Sequence, residues 1–205
     1  MAYFYTMDDM KHFYEKHIRD FKGKNPYMAT KKTAEEIVRG VKEVNGIVSA
    51  AHPRARTTWD LPRKIKCGKI KESVLDDIHC AEVICGLLLR KMNLRAVKWA
   101  MEQGMGITGG SDGHTLHKLG SVVTYSKADD AESFLDSIRK QRNFVTGTET
   151  KMPSRALSYS KAVTKHSRYV GPSVKIHYGL AFKDGMENIR EKISNGRHAL
   201  RHRRR

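Results

Sequence analysis

Cysteine is scarce, and no two cysteines have C-x-x-C spacing: Cys67, Cys80 and Cys85 are the only three in the chain. An odd, small number without that spacing excludes a disulfide framework and a thiolate zinc site, and leaves Cys80 and Cys85 as buried thiols. Long apolar runs are also missing. Nothing approaches the run of about 18 residues needed to cross a bilayer, so no membrane association is expected. The first residues, Met1-Ala-Tyr-Phe-Tyr-Thr-Met-Asp-Asp9, lack the basic flank and apolar stretch of a signal peptide, which predicts a cytoplasmic protein. Acidic residues are in short supply near the C-terminus. Residues 151–205 hold 14 Lys and Arg against 3 Asp and Glu, so +11 of the net +17 sits there. Such a surface attracts phosphate-bearing partners without choosing among them. Its tyrosines, Tyr159, Tyr169 and Tyr178, are too sparse to argue base stacking.

What is present is a soluble composition, 39% hydrophobic and 30% charged over 205 residues, enough for one sizeable core. Thr6 caps an amphipathic pattern running to about Phe21, with His12 and His17 five residues apart and too far round a helix to share a metal. Both read as exposed or partner-paired. Thr33 and Glu36 form a capping box for a helix that stops at Asn45-Gly46. A short apolar strand follows, Gly46 to His52, ended by Pro53. The segment 54–71 reads as a basic loop, and residues 72–77 as a short helix. Ile78 to Cys85 is the next strand, with Glu82 among apolar neighbours, and 93–103 the next helix. Residues 105–108 form a strand entering Gly109-Gly110-Ser111-Asp112-Gly113-His114. A strand at 120–126, a helix capped near Asp129 and Asp130, and a short strand at 143–147 complete the pattern.

Strands alternating with helices at this spacing predict a mostly parallel sheet, open or closed into a barrel. In either case functional groups collect at the C-terminal ends of the strands. His52, Asp112 and His114 each fall at such an end. If extended geometry persists from Asp112 to His114, both side chains leave the same face and can meet one cation. Imidazole and carboxylate together suit a divalent metal. The loop after His52 carries Arg54 and Arg56 as candidate phosphate clamps. Beyond residue 150 the chain reads as a basic, mostly helical extension with a disordered end, in which the His198 and His202 pair is incidental.

Three blocks, Gly46-Ile-Val-Ser-Ala-Ala-His-Pro53, Ala81-Glu-Val-Ile-Cys-Gly86 with Asn93 after it, and Thr108-Gly-Gly-Ser-Asp-Gly-His-Thr115 followed by Leu119-Gly120, resemble the polymerase and histidinol phosphatase (PHP) family of metal-dependent phosphoesterases. The resemblance is strongest over residues 33–150 and is to the C-terminal half of that fold. It implies an α/β domain over residues 1–150, part of a distorted parallel barrel that lacks the early strands, followed by the basic extension 151–205. It implies that His52, Asp112 and His114 are metal ligands for Mn, Zn, Fe or Mg ions, with Glu82 supporting them. It also implies hydrolysis of a phosphate ester by metal-activated water. The family's first motif, H-x-H, is absent, since only His12 and His17 precede His52. Weak activity is the consequence expected, on a phosphorylated small molecule or nucleic acid. An exposed sheet edge is expected too, covered by the N-terminal helix, the C-terminal segment or a second copy in a homodimer. The alternative function is a non-catalytic module that binds nucleic acid or an acidic partner through its basic surface.

Overall fold

The computed structural model describes residues 1–24, 30–55, 60–113 and 115–149, with seven further helical positions between Thr164 and Met186. Two compact units divide the chain, Met1–Lys165 and His166–Arg205. The first carries a four-stranded sheet in the order β1 (Ala2–Tyr3), β2 (Ile47–Ala50), β3 (Cys80–Cys85), β4 (Gly106–Gly110). Strands β2, β3 and β4 are parallel, as the alternation of strand and helix predicts. Strand β1 runs antiparallel on β2, pairing Ala2 with Val48 and Tyr3 with Ile47. It is two residues long, too short for any periodic signal, and it covers the β2 edge with a strand in place of the N-terminal helix, C-terminal segment or second copy expected there.

Side-chain alternation sorts the sheet into two faces. Val48, Ala50, Ala81 and Val83 point into the larger core, with Val38 and Val41 of α2 (Ala34–Glu43) and Trp99 and Ala100 of α4 (Arg90–Glu102). On the other face, Ile47 and Cys80 pack against Leu135 and Ile138 of α5 (Ala131–Arg139). That second face turns polar toward the C-terminal ends of the strands. Ser49 Oγ and Thr108 Oγ1 lie 2.9 Å apart, both buried, and Glu82 stands level with Thr108 in the register.

Helix ends follow their caps. Thr6 accepts from Asp9 N at 3.0 Å ahead of α1 (Met7–Phe13), which continues as a wider π-helical stretch, Tyr14–Ile18. Thr33 and Glu36 close the capping box of α2, at 3.2 and 2.8 Å. His17 is buried, stacked on Phe13 and 3.2 Å from Glu43 Oε2, so it is one of the partner-paired histidines.

The segment 54–71 departs from the loop expected of it. Asp60 accepts from Arg63 N at 3.1 Å and starts α3 (Leu61–Lys66), with Pro62 in the first turn. An aspartate ahead of an early proline is a helix-start signal that the density of charge masks. The last two strands differ as well. Instead of extending the parallel sheet, β5 (Val122–Tyr125) and β6 (Phe144–Gly147) form their own antiparallel pair. They attach to β4 through side chains: Thr124 Oγ1 accepts from Gly109 N at 2.8 Å and donates to Gly109 O at 3.1 Å, and Asn143 Nδ2 donates to Ile107 O at 2.8 Å. A Cβ on Gly109 would lie 2.3 Å from Val145 Cγ1, so only glycine admits this approach.

Candidate metal centre

The parallel register brings the ends of β2, β3 and β4 to one rim: Ala50 pairs with Ala81, Glu82 with Thr108, and Cys85 with Gly110. His52 follows β2 by two residues and Asp112 follows β4 by two. Between them stands the β3 carboxylate. Glu82 Oε2 accepts the backbone N–H of His52 at 2.8 Å, which pins the turn leaving β2. Glu82 is buried, and burial pushes its carboxyl up; the His52 hydrogen bond pulls the other way, and the Asp112 charge adds to the rise. A Cβ on Gly110 would sit 3.0 Å from Glu82 Oε1, so the glycine before Ser111 makes room for this carboxylate.

Cys85 Sγ donates to Asp112 Oδ2 at 3.6 Å. Burial, followed by the nearby Glu82 and Asp112 charges, pushes the Cys85 thiol up to about 12, so it remains a protonated donor rather than a nucleophile. Asn93, buried on the apolar face of α4, holds the end of β3 in turn. It accepts from Cys85 N at 3.2 Å and donates to Cys85 O at 3.1 Å and to Glu149 Oε1 at 3.2 Å. A polar residue in line with Ala96 and Ala100 is the signal that could have marked Asn93 as more than a helix former. Nothing in the sequence around Glu149 marks it.

Backbone conformation singles out the same two residues. Among the described residues four that are not glycine have positive φ: Asn45 at 53°, His52 at 28°, Asp112 at 45° and Gln141 at 55°. Asn45 and Gln141 follow the ends of α2 and α5, where left-handed residues are ordinary helix stops. His52 and Asp112 end no helix. Strained backbone outside a cap is a mark of functional sites. The turn at Asp112 also corrects the expectation of extended geometry through to His114: the strand stops at Gly110.

The structure thus gathers His52, Glu82 and Asp112 on one rim. It takes Arg54 elsewhere, to a cleft against α4. His114 and Arg56 lie outside the described residues. His52 Nδ1 is buried without a hydrogen-bond partner, the condition of a ring nitrogen meant for a ligand. One such imidazole and one carboxylate fit part of a divalent-cation shell. Among the described residues no three His, Cys, Asp or Glu side chains are grouped closely enough to hold a metal.

An open α/β sheet with imidazole and carboxylate donors at the C-terminal ends of its strands is the class of protein defined so far. Residues 90–143, from α4 through the Asp112 turn to the residue before β6, match the family model described as PHP-associated. That match, over about a quarter of the chain, supports a PHP family relationship. No curated protein matches the chain. Among solved structures it is similar to a Bifidobacterium adolescentis protein named for an inferred metal-dependent phosphoesterase activity, at 19% identity, over 69% of this chain and 45% of that one, with a TM-score of 0.36. The chain thus spans under half the length of that protein. No helix among the described residues is long and apolar enough to cross a membrane.

Proposed function

We propose that this chain carries part of a metal-dependent phosphoesterase centre of the PHP type, on an incomplete barrel, in which His52, Asp112 and His114 hold one divalent cation. The observation that carries the reading is the pairing of strained backbone with an orphaned ring nitrogen: His52 and Asp112 have positive φ at the ends of neighbouring strands, and His52 Nδ1 has no partner. When bound, the cation supplies a more acidic water and positive charge opposite the phosphoryl oxygens. The chain's residues do the positioning. Glu82 fixes the His52 turn through its N–H, and Cys85, clamped by Asn93, donates to Asp112 Oδ2.

Turnover is expected to be slow, because the 205 residues contain no H-x-H pair to hold further ions. Mn²⁺-dependent hydrolysis of p-nitrophenyl phosphate by the full chain, beside Asp112→Ala, tests this. Slow turnover lost in the variant supports the proposal, and turnover that survives Asp112→Ala contradicts it. Complete absence of turnover favours the second reading, a binding module for nucleic acid or an acidic partner, which rests on the +11 charge of residues 151–205.

A further inference from the structure

A cleft of about 380 Å³ lies between the chain leaving β2 and helix α4, lined by Arg54, Asp60, Arg95, Lys98, Trp99 and Glu102. None of His52, Glu82, Cys85 or Asp112 lines it. Its volume lies in the range of small-ligand sites, roughly 300 to 1,000 Å³. The α4 wall is one stripe, since residues 95, 98, 99 and 102 recur at three- and four-residue spacing. Trp99 is held in place by the core, being only 5% exposed.

The charges in the cleft are unequally engaged. Lys98 lies 3.7 Å from Glu102, and Asp60 Oδ1 accepts from Arg63 N at 3.1 Å. Arg54 and Arg95 have no ion pair or hydrogen bond among the described residues. Two uncommitted guanidinium groups, one from each wall, present planar forks suited to phosphate oxygens. Carboxylates beside them can accept only from donors, and a fixed indole offers an apolar wall. A bare phosphate would use the arginines and leave the carboxylates facing it. A hydroxyl-bearing body would use both.

We infer that this cleft binds a phosphorylated polyhydroxy compound of the sugar phosphate class, with its phosphate between Arg54 and Arg95 and its hydroxyls donating to Asp60 and Glu102. The inference goes beyond the phosphoesterase reading and is tested without metal, so the two fail separately. The experiment is isothermal titration of the full chain with glucose 6-phosphate, glucose and inorganic phosphate in EDTA. Saturable binding of glucose 6-phosphate is expected, tighter than either fragment. Arg95→Ala, on an exposed helical position where alanine is tolerated, should weaken it about tenfold or more, as should Arg54→Ala. Arg142→Ala, which removes the same charge from an exposed site outside the cleft, should leave it unchanged. No saturable binding, or equal loss in Arg95→Ala and Arg142→Ala, overturns the site. Phosphate binding as tight as glucose 6-phosphate overturns the ligand class.

Discussion

Replacing Gly86 with alanine is expected to destabilise the protein by about 1–3 kcal/mol and to weaken Mn²⁺ binding about tenfold or more. A Cβ at Gly86 would lie 2.7 Å from Ser111 O, 3.1 Å from Ser111 Cα and 3.2 Å from Ser111 C. All three are backbone atoms, so no rotamer change relieves the clash. Gly86 N also donates to Gly110 O at 2.9 Å, which ties the end of β3 to the end of β4 at this point. The chain around Ser111 must therefore retreat, and Asp112 with it, away from the Cys85 thiol that orients its carboxylate. Gly23→Ala is the control, because a Cβ there meets nothing within 4 Å. Urea denaturation and Mn²⁺ titration of both variants measure the two effects. A Gly86→Ala protein with wild-type stability and metal affinity would show that the close approach of the two strand ends does not organise the site.

The second large effect is expected at Glu82. Truncation to alanine removes a buried side chain and leaves the His52 N–H without its 2.8 Å acceptor, in a backbone turn that is already strained at φ 28°. Cavity and orphaned donor together should cost about 2–4 kcal/mol. Glutamine keeps an acceptor of the same shape and sheds the charge that burial disfavours, so Glu82→Gln should stay within about 1 kcal/mol of wild type. Thermal or urea unfolding of the pair separates them. Equal stability of Glu82→Ala and Glu82→Gln would contradict the role assigned to the hydrogen bond.

Much of this arrangement was legible because local and global signals agree. The capping box at Thr33 and Glu36, the helix stop at Asn45-Gly46 and the apolar runs of β2 and β3 each state in a few residues what the fold uses. His52, Asp112 and His114 were placed on one rim by the rule that parallel strands present their C-terminal ends together; the register brings the ends before His52 and Asp112 together, and His114 lies outside the described residues. What stayed hidden depends on contacts distant in sequence. β1 is two residues of backbone pairing with no period to detect. The separation of β5 and β6 from the main sheet follows from Gly109, whose bare backbone takes its hydrogen bonds from the Thr124 hydroxyl.

The left-handed turn at Asp112 was equally invisible. A D-x-H pair at the end of a strand reads as extended, whereas Asp112 has φ 45° next to the close approach of Ser111 to Gly86. The contact of Asn93 with Cys85 spans eight residues and that with Glu149 spans 56; the polar position of Asn93 in line with Ala96 and Ala100 hints at the first, and nothing local marks the second. Arg54 was expected beside the metal ligands because it follows His52 closely in sequence. Pro53 intervenes, and the guanidinium lines the α4 cleft instead.

The claim on which the rest depends is that the turns after β2 and β4 hold one divalent cation through His52 and Asp112. Calorimetric titration of the purified chain with Mn²⁺, beside His52→Ala and Asp112→Ala, measures this directly. The account predicts saturable binding near one ion per chain in the wild type and loss of affinity of about tenfold or more in each variant. Mn²⁺ binding of equal affinity in all three proteins, or none in the wild type, would contradict it.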